Sequence, residues 1–68
     1  MTNVNKLRGK MVESGVTVKM LAERLGISRS SLYRKLKGDG GTLFIREANL
    51  IVEALSLTPD EATAIFFN

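Results

Sequence analysis

The chain has 68 residues, no cysteine, no histidine and a formal net charge of +3. Disulfides, thiol nucleophiles, imidazole bases and ordinary zinc sites are thereby excluded, and no apolar run approaches the ~20 residues of a membrane span. Charge is spread unevenly: residues 1–41 carry nine Lys/Arg against three Asp/Glu, a balance of +6, whereas residues 42–68 carry Arg46 alone against four acids, a balance of −3.

That asymmetry implies a basic face suited to a polyanion, with the other end doing something else. The bland alternative is surface charge that serves solubility. Residues 1–68 are expected to form one domain, and a chain this size buries only about 60% of the surface its unfolded form exposes. Met-Thr-Asn-Val does not open a secretory signal, so a cytoplasmic protein without cofactor or metal is expected.

In chain order, Asn3 or Asn5 caps a first helix running to about Ser14, with Val4, Leu7 and Met11 as its apolar stripe. Lys6, Arg8 and Lys10 lie elsewhere on it, either as a solvated face or in reach of phosphate. Gly15 closes this helix, and Thr17 caps the next.

The second helix carries Val18, Leu21, Ala22 and Leu25 at i, i+3, i+4 and i+7. Gly26 suits the left-handed residue that ends a helix. Ile27 points inward, and Ser28 caps a third helix over Arg29–Lys37. Two short helices joined by a three-residue turn make a helix-turn-helix, and the small Ala22 lets them cross closely.

On the third helix Leu32 and Leu36 define the inward face. At about 100° per residue Arg34 lies opposite them, with Ser30 and Lys37 near it. Ser31 lies further round, Tyr33 and Lys35 fall on the flanks, and Arg29 is near the tip. No acid occurs between Ser28 and Gly38, so pairing within the helix does not explain these cations. A helix of this diameter fits the DNA major groove, where Arg bonds guanine O6 and N7 together.

Gly38-Asp39-Gly40-Gly41 reads as a flexible turn and lacks the Lys-Ser/Thr ending of a P-loop. A fourth helix is expected from about Ile45 to Ser56, with Ala48, Ile51, Val52 and Leu55 inward. Its cap is open: Thr42 serves, or Phe44 is a packing device. Thr58-Pro59-Asp60-Glu61 has capping-box spacing with proline at the first helical position, so a fifth helix follows. Phe66 and Phe67 are about 100° apart on it. Either both edge into the core, or one stays exposed for a second subunit. No stretch alternates by two, so the chain reads as all-α with five helices.

The spacing of Ala22, Gly26, Ile27 and Leu32, with Ser28 before the third helix, resembles the Cro and lambda-repressor-like family of phage and bacterial regulators. The resemblance runs from about Val4 to Phe67 and implies a compact five-helix lambda-repressor-like domain with the motif at helices two and three. It implies base reading by Ser28, Arg29, Ser30 and Arg34. It further implies phosphate contacts at Lys37 and the glycine loop, and another near Arg46. The family often has Gln where this chain has Val18; either Lys19 substitutes or that contact is missing.

Three function classes compete. The first is a sequence-specific regulator of double-stranded DNA, a small Cro-type repressor. Two copies would sit on half-sites about one helical turn apart, with Lys19, Tyr33, Lys35, Lys37 and Arg46 on phosphate. The second is a protein-interaction module such as an antitoxin or accessory factor, which the Phe66-Phe67 end also suits. An enzyme is the weakest case. Its seven acids fall mostly on solvated faces or near caps, and Ser28, Ser30 and Ser31 have no histidine to activate them. Membrane binding through the third helix fails for want of apolar residues on it.

Overall fold

The structure is a computed structural model, and it describes residues 2–37 and 43–67. Five helices follow one another: α1 (Val4–Ser14), α2 (Val18–Leu25), α3 (Arg29–Lys37), α4 (Ile45–Leu55) and α5 (Pro59–Phe66). No strand occurs among the described residues. The glycine turn and the proposed Thr42 cap lie outside them.

The helix starts follow side-chain chemistry. Asn3 Oδ1 accepts the Lys6 N–H at 3.1 Å, and Thr17 Oγ1 accepts the Met20 N–H at 3.1 Å. Ser28 Oγ accepts the Ser31 N–H at 3.1 Å. At α5 the box is reciprocal: Thr58 Oγ1 accepts from the Glu61 N–H, and Glu61 Oε1 accepts from the Thr58 N–H. Each bond satisfies a first-turn donor that the helix itself leaves free.

Three helix ends share one device. Gly15, Gly26 and Ser56 all take the left-handed conformation. The next residue, Val16, Ile27 or Leu57, returns its N–H to the carbonyl five back, at Met11, Ala22 and Val52 respectively. Each of those three apolar side chains packs on the core, as this ending favours. Ser56 replaces the glycine usual there, so helix α4 stops at Leu55 rather than at Ser56.

The core gathers Leu7 and Met11 of α1, Leu21, Ala22 and Leu25 of α2, Leu32 and Leu36 of α3, Ile51 and Leu55 of α4, then Leu57 and Ile65. Helix α2 packs on both α3 and α4, while α1 packs on α4 and α5. The Asn3 N–H donates to the Ile65 carbonyl at 2.7 Å and ties the two ends of the fold together. Helix α3 is thus held by α2 from one side, and the stripe opposite its leucines is exposed.

Glu47 is one of the acids that lie near a cap, and unlike the others among the described residues it is buried. It is 2% exposed, inside the first turn of α4. Its Oε1 accepts the Phe44 N–H at 3.0 Å, which is one half of a capping box. The other half is chemically impossible, because a phenyl ring has no acceptor for the Glu47 N–H.

Candidate nucleic-acid interface

Leu32 is fully buried and Leu36 nearly so, and this pins the rotation of α3 well enough to sort its other side chains. Arg29, Ser30, Arg34 and Lys37 are exposed, and Ser31 is half-buried. Among the described residues no carboxylate lies within ion-pair distance of Arg29, Arg34 or Lys37. Among the described residues nothing pairs with these cations, which leaves them exposed to an external anion.

Ser28 is more constrained than its neighbours. Its hydroxyl caps α3 and also makes a 3.0 Å bond to the Ser31 hydroxyl. Little bonding capacity remains for a base edge. Ser30 makes no hydrogen bond with its side chain among the described residues.

The starts of α2 and α3 together line a concavity of about 490 Å³, bounded by Thr17, Val18, Lys19, Arg29, Ser30 and Tyr33. No acid borders it. The Met20 N–H of α2 is taken by Thr17, but the Val18 and Lys19 N–H groups have no partner within their helix. Unpaired amides, the positive end of the helix dipole and two cationic side chains make this concavity favourable for an anion such as phosphate. Lys19, Tyr33, Arg29 and Ser30 are brought together here. Val18 is half-buried against the core instead of reaching outward.

Lys35 does not join them. Its Nζ lies 2.9 Å from each oxygen of Glu47, and 4.5 Å from the centroid of the Phe44 ring. A phosphate contact by Lys35, as expected of a DNA regulator, would have to compete with this carboxylate. Burial pushes the Glu47 carboxyl up, but the Phe44 N–H and the Lys35 ammonium outweigh this and hold its pKa below the ordinary value of 4.5. Lys10 is likewise engaged, with Glu61 at 2.6 Å and Glu13 at 3.4 Å. Arg46 is exposed in the first turn of α4 and is not among the residues that border the concavity.

Phe66 is half-buried against the core, and Phe67 lies beyond the end of α5 with 77% of its surface exposed. Both border a second, more apolar groove, with Leu43, Ile45, Ala48 and Val52. Of its members, periodicity singled out neither Leu43 nor Ile45, and Ile45 is 81% exposed. The available signal was its place one residue after the open cap position, outside the inward set of α4.

Among families of known proteins, the helix-turn-helix domain of resolvase matches residues 6–39, which is half of the chain. The match runs from within α1 through the whole of α2 and α3, so it includes the turn and the exposed stripe just described. No curated protein and no solved structure matches the chain.

Proposed function

Because the chain belongs to the family of resolvase-type helix-turn-helix domains, we propose that it is a sequence-specific regulator of double-stranded DNA, of the small Cro-type repressor kind. The observation that carries this reading is the exposed stripe of Arg29, Ser30, Arg34 and Lys37, which meets no acid among the described residues and adjoins the concavity at the starts of α2 and α3. Helix α3 enters the major groove. Arg29 and Arg34 bond guanine edges, and Ser30, with the remaining lone pair of Ser28, bonds neighbouring ones. Lys19 and Tyr33 hold phosphate at the concavity, Lys37 holds it beyond the carboxy end of α3, and Arg46 meets it at the start of α4. The whole chain acts as one non-enzymatic domain, in the cytoplasm of a bacterial or phage-infected cell.

Two copies bind together. Half-sites one turn apart are about 34 Å from centre to centre. The molecule measures 26 × 23 × 20 Å, so two touching copies span that distance when their reading helices lie outboard of the contact. Phe66 and Phe67 supply the apolar contact. The same groove also suits the second reading, a protein-interaction module such as an antitoxin.

Selection of duplexes from a random pool at two salt concentrations tests the proposal. Cationic phosphate contacts by Lys19, Lys37 and Arg46 predict a slope of about −2.7 per protomer in log affinity against log salt. Enrichment of one motif with such a slope supports a DNA reader. Flat salt dependence with no motif rejects it and leaves the interaction module.

A further inference from the structure

Leu32 and Leu36 anchor α3, but apolar contact has no direction. Two leucines on one stripe set the depth of the helix more firmly than its fine rotation. Fine rotation matters to any side chain that reads a base. A tip about 6 Å from the helix axis moves by about 1.6 Å when the helix turns by about 15°. Hydrogen bonds hold only over about 2.7–3.2 Å, so that movement breaks them.

One directional contact governs the carboxy-terminal half of α3. The Lys35 ammonium sits symmetrically on the Glu47 carboxylate, 2.9 Å from both oxygens. Glu47 is itself held by the Phe44 N–H, within the first turn of α4. The Lys35 side chain is only 15% exposed, and the Phe44 ring lies beside its charge. Among the described residues this is the one ion pair joining α3 to another helix. Lys35 directly follows Arg34, about 100° round the same turn.

We infer that the Lys35–Glu47 pair fixes the rotation of α3, so that Lys35 and Glu47 are positioning residues for base reading by Arg34. The inference rests on the DNA-reading function proposed above. A buried pair is a poor source of net stability, because desolvating both charges offsets their attraction. Direction is what it supplies.

The test uses the full chain, the duplex selected from the random pool, and single-base variants of that duplex. The double variant Lys35→Met, Glu47→Gln removes both charges but keeps the lysine stem and an acceptor for the Phe44 N–H. Its discrimination between the selected duplex and the variants is expected to fall about tenfold, while its salt slope stays within about 0.3 of the parent's. Lys37→Met is expected to do the reverse, flattening the slope by about 0.9 and keeping the discrimination. If the double variant flattens the slope by about 0.9, Lys35 touches phosphate and the inference is overturned. Unchanged slope with unchanged discrimination overturns it as well, since the pair is then only structural. Should the double variant not fold, Glu47→Gln alone is read by discrimination only: a fall of about tenfold supports the inference, and unchanged discrimination overturns it. A parent chain that binds no duplex in a salt-dependent way sinks the functional reading and the inference together, whereas a parent that binds leaves only the inference at stake.

Discussion

Lys35 and Lys37 stand two residues apart on one helix and meet different fates. Lys37 is exposed, while Lys35 is drawn down onto a carboxylate from α4. Lys37→Ala is expected to weaken all duplexes alike and to flatten the salt slope by about 0.9, measured by titration at several salt concentrations. Arg34→Ala is expected to cost about 1–3 kcal/mol of discrimination at one base position. Arg34→Glu should abolish duplex binding while the helical circular dichroism is unchanged, because Arg34 is exposed and makes no side-chain hydrogen bond or ion pair among the described residues. A surviving interaction with a protein partner would instead favour the interaction module. Ala22, 2% exposed where α2 meets its neighbours, tests size instead of charge. Ala22→Leu is expected to destabilise by about 1–3 kcal/mol in urea unfolding, through overpacking.

At the scale of the element, the ends of helices matter as much as their faces. Three ends use the same left-handed residue followed by an apolar one, and only α4 does so without glycine. Ser56, at φ 50° and ψ 45°, carries the steric cost that Gly15 and Gly26 avoid. Ser56→Gly is therefore expected to stabilise the chain by about 0.5–1 kcal/mol, read as a higher urea midpoint. At the opposite kind of end, Ser28→Ala removes the cap of α3 and is expected to cost about 1 kcal/mol. Helix α3, the proposed reading helix, is only nine residues long. Isolated helices of that length are marginal in water, so its cap and its packing decide whether it forms.

Across the whole molecule, two ion pairs tie distant parts of the chain together and set its response to pH. Glu47 has a lowered pKa in the folded state, so its contribution is present above 4.5 and lost as pH falls through the lower folded value. Glu61 behaves likewise, lowered first by the Lys10 hydrogen bond and then by the Thr58 N–H. Lys10 is raised by its hydrogen bond to Glu61, so its contribution is present below 10.5 and lost as pH rises through the higher folded value. Urea midpoints are expected to be level between those limits and to fall on both sides. Glu47→Gln should blunt the acid limb, and Lys10→Met the alkaline one. The apolar groove beside Phe67 belongs to the same scale. Phe67→Ser is expected to weaken self-association on DNA and leave the fold intact, checked by sedimentation with and without duplex.

Much of this architecture is local and so could be read along the chain. Asparagine, threonine and serine caps, glycine stops and the i, i+3, i+4 stripes each act over a few residues, and α1, α2, α3 and α5 follow from them. The exposure of Arg34 follows as well, because a period of 3.6 residues places it opposite Leu32 and Leu36. The left-handed Ser56 escaped that reading, since serine carries no signal for the conformation that glycine advertises. Glu47 escaped for a different reason. Its burial and its grip on Lys35 depend on α3 and α4 meeting in space, on either side of residues 38–42. Periodicity reports which way a side chain leaves its own helix; it carries no information about which charge another helix brings to meet it. That is why the exposure of Arg29, Arg34 and Lys37 was visible in the letters alone and the capture of Lys35 by Glu47 was not.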